Sequence, residues 1–248
     1  MTAAAPDPTQ APSGPDAETV RRLLVSATQR LLGDTIAIAD QDWAAPSRLP
    51  GWSRGHLATH LARQADALGR LVQGALSQHP QQMYGSPEQR DAEIESGAAR
   101  SALELQIDLD TASGALSQNF DAVAEASGWD LVVELRGGDL VPVRALPLAR
   151  LAEVVLHHVD LDVGYSADEV DQQTAELLLT WCAFRLRRRS DFPRLLLLSD
   201  SGFQQPVGVS GEETSVTGPS AALLGWLTGR AGAEPLAGAD GLRLPAYS

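Results

Sequence analysis

Apolar residues recur at helical spacing through the first two thirds of the chain and predict four helices. The four segments are residues 17–39, 54–76, 88–126 and 147–164. Ser53 is well placed to cap the second segment, since its side-chain oxygen can accept from the free N–H groups of a first helical turn. Together the segments predict a four-helix bundle, a fold whose core commonly holds metal sites.

The third segment is the least regular, and the pattern changes after it. Gly97 could break the predicted helix. The predicted apolar face of this helix includes Leu103, Ile107, Leu116 and Val123. Beyond it, residues 131–143 alternate apolar and polar positions around a Gly-Gly pair, which predicts a β-hairpin insert before the fourth helix.

The last third of the chain changes character after Tyr165. The pattern predicts a helix, three short strands and a final short helix, at residues 167–189, 194–199, 203–209, 213–217 and 219–228. The predicted fold class is therefore α+β. The predicted parts are a disordered tail, the bundle and a small α+β domain, which span residues 1–16, 17–166 and 167–248.

Composition and charge narrow the classes of function. The chain of 248 residues is 44% hydrophobic and can bury a large core, and its net charge is −13. This negative charge disfavours nucleic acid or an anionic membrane as a partner. The sequence has no apolar run of membrane-spanning length, and its N-terminus lacks the basic and apolar regions of a signal peptide. We therefore expect a cytoplasmic protein, whose oligomeric state the sequence leaves open.

The cysteine content limits the redox and metal chemistry. Cys182 is the single cysteine, so the chain has no internal disulfide and no zinc cluster built on cysteines. It lies in an apolar helical run, which is typical of a small buried hydrophobic residue. Cys182 is therefore not expected to act as a reactive thiol.

Two of the predicted helices carry residue types that bind metals. Glu153 and His157 lie four positions apart on the fourth helix, and His56 and His60 have the same spacing on the second. Residues with this spacing share one helix face. A carboxylate or an imidazole is costly to bury without a partner, and a shared metal ion would satisfy several at once. Two histidines and one glutamate from facing helices would form an open three-ligand site, as in catalytic zinc sites.

Each of these residues also has a simpler interpretation. Glu153 and His157 could form an ordinary pair on a helix surface, and either His56 or His60 could be a hydrogen-bonded core histidine. His158 lies five positions from Glu153, so it is expected to pack or to form a hydrogen bond elsewhere. The stronger HExxH zinc motif is absent. The pattern alone does not choose between His56 and His60.

Four segments of the sequence resemble the mycothiol-dependent maleylpyruvate isomerases, a family in the DinB-like superfamily of metalloenzymes. The family's metal-binding domain has segments similar to LPGWSRGHLATHLARQADAL, MYGSPEQRDAEIESGA and LAEVVLHHVDLDVG. Its C-terminal domain, similar to sterol-carrier folds, ends in a segment like VTGPSAALLGWLTGR. The resemblance covers nearly the whole chain after residue 17, with the segments in the family's order.

The resemblance implies a set of site residues. The family's ligand is the second histidine of the HxxxH pair, so the implied zinc ligands are His60, Glu153 and His157. The family's catalytic arginine corresponds to Arg230, which by sequence pattern alone would be a solvated charge at a helix end. The resemblance does not identify the residues that contact the thiol.

The resemblance also implies a function. It is the cis–trans isomerisation of maleylpyruvate to fumarylpyruvate, a step of gentisate-type aromatic degradation, with Zn²⁺ bound and mycothiol as the external thiol. The partners are then a small dicarboxylate and a low-molecular-weight thiol. One alternative is a mycothiol S-transferase that detoxifies electrophiles, since the superfamily contains such enzymes with the same ligands. The other is a non-catalytic protein that binds an apolar ligand.

Overall fold

The computed structural model describes residues 16–247, which form two compact units that meet in the sequence at Tyr165 and Ser166. Helices make up most of the first unit, and the second contains a small sheet, in agreement with the predicted α+β class. The predicted disordered tail, residues 1–16, lies outside the described residues except for Asp16, which caps the first helix. No helix within the described range is long and apolar enough to cross a membrane.

The helical unit, residues 16–165, contains four long helices and two short ones. They are α1 (Ala17–Thr35), α2 (Asp40–Trp43), α3 (Arg54–Leu76), α4 (Pro87–Ala98), α5 (Ala102–Glu125) and α6 (Leu146–Asp160). The long helices form the predicted bundle, in which α3 packs against α5 and α6, and α1 packs against α6. Ser53 caps α3 as predicted, since its side chain accepts from the backbone N–H of His56.

The helix predicted over residues 88–126 is in fact two helices, α4 and α5. They separate at Ser101, which caps α5 in a reciprocal capping box with Glu104. The predicted apolar face was wrong at Leu103 and Ile107, which are 69% and 55% exposed. Ile107 lies about two and a half turns before Leu116 and therefore on the opposite side of the helix. Leu103 lies about one turn before Ile107, on that same exposed side. The buried face of α5 consists of Leu105, Leu109, Ala112, Leu116, Phe120 and Val123.

A short antiparallel hairpin joins α5 to α6. Its strands are β1 (Val132–Glu134) and β2 (Leu140–Pro142), so the insert predicted over residues 131–143 is confirmed. The turn passes through Gly137 and Gly138, both of which have positive φ angles that glycine adopts without steric cost.

The C-terminal unit, residues 166–247, is built on a three-stranded sheet. Its elements are α7 (Gln172–Leu186), β3 (Pro193–Ser199), β4 (Gln204–Val207), β5 (Ser210–Gly218) and α8 (Ser220–Leu227). Strand β3 is central, antiparallel to β4 and parallel to β5. The order of elements is the predicted one. Helix α7 begins later than predicted because residues 167–169 form a separate 3-10 turn, after which Asp171 caps α7.

Helices α3 and α4 approach closely through two glycines. A Cβ added to Gly55 would lie 2.3 Å from the carbonyl oxygen of Ala98, and one added to Gly97 would lie 2.4 Å from the Thr59 side chain. A backbone oxygen cannot rotate away as a flexible side chain can. The position of α4 beside α3 therefore depends on the small size of these residues.

Replacing Gly55 by alanine is expected to destabilise the protein by about 1–3 kcal/mol, the usual cost of forcing extra volume into a packed contact. Gly114→Ala is the matched control, because nothing lies within 4 Å of a Cβ added to this residue of α5. That variant should gain about 0.5–1 kcal/mol from its lower backbone entropy when unfolded. Urea unfolding followed by circular dichroism measures both changes. Equal free energies of unfolding for Gly55→Ala and the wild type would contradict the close contact between α3 and α4.

Candidate metal centre

Helices α3 and α6 bring three predicted ligands together. His60 comes from α3, and Glu153 and His157 come from successive turns of α6. The Nε2 atoms of His60 and His157 lie 3.0 and 3.3 Å from the same Glu153 oxygen, Oε2. The two imidazole rings meet edge to face, with centroids 4.9 Å apart. Each residue therefore directs one metal-binding atom at a common point.

The donor set and its spacing fit a zinc ion. Tetrahedral zinc holds nitrogen and oxygen ligands at roughly 2.0–2.2 Å, which places neighbouring ligand atoms about 3.3 Å apart. The two N–O separations of 3.0 and 3.3 Å are close to that spacing. Two imidazoles and one carboxylate also leave a fourth position for an external molecule, as in catalytic sites. Within residues 16–247, this is the one such grouping of His, Cys, Asp or Glu side chains.

The cluster is buried on one side and accessible on the other. His60 is 7% exposed, whereas the Glu153 side chain is 34% exposed. The His157 side chain has an intermediate exposure of 15%. A small molecule can therefore reach the cluster from the side of Glu153, the most exposed of the three residues.

Asp160 orients His157 from the last turn of α6. Its carboxylate accepts a hydrogen bond from His157 Nδ1 at 2.9 Å, and the residue is 2% exposed. A proton fixed on Nδ1 leaves the lone pair of Nε2 free to bind a metal, and such carboxylate partners are common behind metal-bound histidines. This buried contact is a second observation that fits a metal site.

Burial and mutual contacts shift the pKa values of all three cluster residues. Burial lowers the pKa of His60. Burial acts to raise the pKa of Glu153, but hydrogen bonds from His157 and His60 outweigh it and hold the pKa well below its usual range. Burial acts to lower the pKa of His157, and its hydrogen bonds to Asp160 and Glu153 raise it instead. Glu153 and His60 thus favour the forms that bind metals, whereas His157 would release a proton on binding.

The structure directs His56 away from the cluster. Its Nδ1 lies 2.7 Å from Ser53 Oγ and 3.2 Å from the Ser53 backbone nitrogen, where it completes the cap of α3. Its Nε2 lies 3.1 Å from Glu95 of α4. Both ring nitrogens are therefore engaged on the α4 side, and His60 is the histidine of the pair that faces α6.

A comparison with known families identifies the helical unit. The family model described as the mycothiol maleylpyruvate isomerase N-terminal domain matches residues 24–162, which is more than half of the chain. The chain belongs to this family. The matched range contains His60, Glu153 and His157.

Solved structures extend this similarity to almost the whole chain. A crystal structure of the mycothiol-dependent maleylpyruvate isomerase is 25% identical, with a TM-score of 0.80, and the match covers 93% of this chain and 96% of that one. A crystal structure of a single-residue mutant is 24% identical, with the same TM-score and coverage. No curated protein sequence matches the chain.

His158 packs outside the cluster, as its position on the helix predicts. It is 2% exposed and stacks on the ring of Tyr165, with centroids 4.2 Å apart. Its Nε2 lies 3.2 Å from the Asp34 carboxylate. This histidine therefore joins α6 to α1 and is not directed at the other ligands.

Sequence reasoning missed three residues around His60. Trp52 packs edge-on against the His60 ring, with centroids 5.5 Å apart. Arg90 of α4 places NH2 3.3 Å from His60 Nδ1, and its guanidinium lies 6.0 and 5.8 Å from the ring centroids of Trp52 and Tyr84. All three lie in segments that resemble the family, which was the signal available, but no spacing rule connects them to the histidines.

Arg150 is a buried cation behind the cluster that sequence reasoning also missed. It is 1% exposed and donates from NH1 to the Leu61 carbonyl and to Gln64 Oε1, both at 2.7 Å. Burial lowers its pKa to about 10, and nearby Glu153 opposes that shift. Arg150 therefore joins α6 to α3 at the residue that follows His60.

The other candidate residues lie in the C-terminal unit. Arg230 follows α8 and donates from NH1 to the carbonyl oxygen of Thr228 at 3.0 Å. The catalytic role that the resemblance implies for Arg230 stays a prediction. Cys182 is fully buried, as expected, and burial raises its pKa to about 12, so its thiol is a poor nucleophile.

Asp160→Asn is expected to lower zinc affinity about 10- to 100-fold, the usual effect of losing a partner behind a metal-bound histidine. Asparagine keeps the shape but removes the negative charge beside His157. Asp162→Asn is the control, because its side chain is 53% exposed and pairs with Arg48. Competition with a chromophoric chelator at neutral pH measures the affinity, and equal values for Asp160→Asn and the wild type would contradict this role.

Proposed function

We propose that this protein is a zinc- and mycothiol-dependent isomerase that converts maleylpyruvate into fumarylpyruvate. The observation that carries the proposal is the convergence of His60, Glu153 and His157 within the region that the family model matches. The fold similarity to a crystal structure of a mycothiol-dependent maleylpyruvate isomerase, over 93% of this chain, supports it.

His60, Glu153 and His157 would hold the zinc ion. When bound, zinc carries more positive charge than these ligands neutralise, and it lowers the pKa of a thiol at the open position. Asp160 keeps the His157 ring oriented, and the exposed side of Glu153 admits small molecules. Because Cys182 is buried, the thiol is external, and mycothiol is the thiol named for the family.

The proposed reaction makes a double bond temporarily single. The thiolate adds to one carbon of the maleylpyruvate double bond, and the electron pair moves onto the conjugated carbonyl oxygen. The resulting single bond rotates. The electron pair then returns and expels the same thiolate, which gives the trans isomer. No atom is gained or lost, and the thiol is regenerated.

Positive side chains are needed beside the reacting atoms. The substrate carries two carboxylates, and further negative charge develops on its carbonyl oxygen during thiolate addition. Arginine suits both tasks, because its planar guanidinium binds carboxylates with two parallel hydrogen bonds and stabilises developing charge. We assign one of these tasks to Arg230, on the strength of the resemblance between VTGPSAALLGWLTGR and the family's C-terminal segment.

Product analysis tests the proposal and separates it from related activities. Zinc-loaded protein is incubated with mycothiol and maleylpyruvate, while proton NMR follows the product and a colorimetric titration follows free thiol. We expect fumarylpyruvate to accumulate with no change in free thiol over many turnovers. Loss of one thiol per substrate into a stable adduct would instead identify an S-transferase. A zinc-loaded protein that catalyses neither reaction would refute the proposal in favour of a binding protein.

A further inference from the structure

A cavity of about 650 Å³ lies in the helical unit between residues 80–87 and the β1–β2 hairpin. Tyr84 and Arg90 form part of its wall. Arg90 also contacts His60, with NH2 3.3 Å from Nδ1, and its guanidinium lies 5.8 Å from the centroid of the Tyr84 ring. These two residues therefore connect the cavity to the candidate metal centre.

The hydrogen-bonding capacity of the Arg90 guanidinium is only partly used. Its side chain is 13% exposed, and its Nε is buried with no hydrogen-bond partner among the described residues. Its carboxylate partner is the adjacent Asp91, whose side chain is 70% exposed, and its NH2 faces a ring nitrogen of His60. A guanidinium has five N–H donors, and a solvated carboxylate, a neutral ring nitrogen and the neighbouring Tyr84 leave part of this capacity unused, including the buried Nε–H.

The charge around the cavity differs from that of the chain as a whole. The charged residues in its wall are Arg90, Arg136 and Glu134, whereas the net charge of the chain is −13. Arg70, which is not part of the cavity wall, holds the wall residue Met83 in place. Its Nε and NH2 donate to the carbonyl oxygen of Met83 at 3.1 and 2.6 Å. A small anion is therefore favoured here although the protein is acidic.

We infer that Arg90 binds a carboxylate of the substrate, which enters through this cavity and replaces His60 as the partner of the guanidinium. The inference rests on the proposed function and deepens it, because it assigns one of the substrate's two carboxylates to the helical unit. Charge-assisted hydrogen bonds to a carboxylate are stronger than a bond to a neutral nitrogen. The flanking rings of Trp52 and Tyr84 limit the orientations of the guanidinium and so favour one geometry.

The contact between Arg90 and His60 also favours the replacement of His60 by a substrate carboxylate. An imidazole that ligates a metal through Nε2 carries a proton on Nδ1 and becomes a donor there. His60 Nδ1 and Arg90 NH2 lie 3.3 Å apart and would then be two donors facing each other. A carboxylate oxygen can accept from both. Arg90 is thus a specificity-determining residue that favours dicarboxylates over neutral electrophiles.

The test is the binding of maleate, a dicarboxylate that carries the same cis double bond, to zinc-loaded protein without mycothiol. Isothermal titration calorimetry compares the wild type with Arg90→Gln, which keeps hydrogen-bonding ability but loses the charge. We expect maleate binding to weaken at least about tenfold, as for one lost charge-assisted hydrogen bond. Arg22→Gln is the charge-matched control, because Arg22 is exposed on α1 and bonds to Thr19. Zinc content is measured in every sample.

A second comparison needs no variant of the protein. The wild type should bind maleate at least about tenfold more tightly than maleamate, its monoamide, which lacks one carboxylate charge. Equal affinity for the two ligands, or no maleate binding at all, would overturn the inference. Unchanged maleate affinity in Arg90→Gln with full zinc content would do the same.

These outcomes are distinct from those that test the proposed function. Maleate binding that depends on Arg90, in a protein that does not isomerise maleylpyruvate, would support the inference and refute the proposed function. Isomerisation with the same KM in the wild type and in zinc-loaded Arg90→Gln would support the proposed function and refute the inference.

Discussion

His60→Ala is expected to lose bound zinc and, with it, all thiol-dependent isomerase activity. The change leaves two ligands, Glu153 and His157, where a catalytic zinc site needs three. The loss of affinity should exceed the roughly 10- to 100-fold that follows from removing an outer partner of a ligand. His56 cannot take the place of His60, because its ring nitrogens lie against Ser53 and Glu95.

His56→Ala is the matched control for this prediction. It removes an imidazole one turn away on the same helix, and its expected effect is a loss of up to about 1 kcal/mol of stability from the cap of α3. Zinc content after gel filtration, measured by mass spectrometry, distinguishes the two variants. Full zinc content in His60→Ala, together with loss of zinc in His56→Ala, would show that His56 and not His60 is the zinc ligand.

Arg230→Ala is expected to keep fold and zinc but to lose at least about tenfold in kcat/KM, which corresponds to about 1.4 kcal/mol. A charge-assisted hydrogen bond in a shielded site contributes about 1.5–3 kcal/mol, or roughly 10- to 150-fold in rate. If Arg230 also stabilises the charge that develops during thiolate addition, the loss rises to about 10²–10³-fold. A residue that only bonds to Thr228 at the end of α8 would instead cost a few tenths of a kcal/mol, with activity intact.

Two further variants make the Arg230 experiment specific. Arg230→Lys keeps the charge but not the planar fork, so it should be partly active. Arg194→Ala removes an exposed arginine of β3 in the same unit and should leave the kinetics unchanged. Steady-state kinetics of the zinc-loaded proteins give kcat/KM for each variant. Wild-type kinetics in folded Arg230→Ala would show that another group binds the substrate carboxylates.

Much of the fold follows from local patterns in the sequence. Helix α3 matches its predicted range of 54–76 because its apolar stripe and the Ser53 cap agree. The hairpin and the order of elements in the C-terminal unit follow from changes in the spacing of apolar residues at glycine-rich turns. The error in the third helix also has a local origin. Ser101 and Glu104 form a capping box that starts a new helix and that the apolar pattern alone did not reveal.

The candidate ligands could be recognised from the sequence, but the choice between the two histidines needed more. His56 and His60 have equivalent helical positions, and only His60 lies where α3 crosses α6. One local feature of the sequence, which spacing alone does not use, separates the two histidines. His56 is the third residue after Ser53, the position from which a side chain reaches back to complete a helix cap.

The surroundings of the cluster could not be predicted from spacing. Arg90 reaches His60 only because α4 packs on α3 through Gly55 and Gly97, a contact between distant segments. Arg150 lies in an apolar run and is buried because the Leu61 carbonyl and Gln64 accept its hydrogen bonds. Contacts of this kind depend on how helices rotate and pack, which local periodicity does not encode.

The rate of maleylpyruvate isomerisation, measured with zinc-loaded and zinc-depleted protein and with and without mycothiol, tests the role of the cluster most directly. We predict that fumarylpyruvate forms only when zinc and mycothiol are both present, and that adding zinc back to depleted protein restores the rate. An equal rate without zinc, or no product when both are present, would contradict a zinc- and thiol-dependent isomerase built on His60, Glu153 and His157.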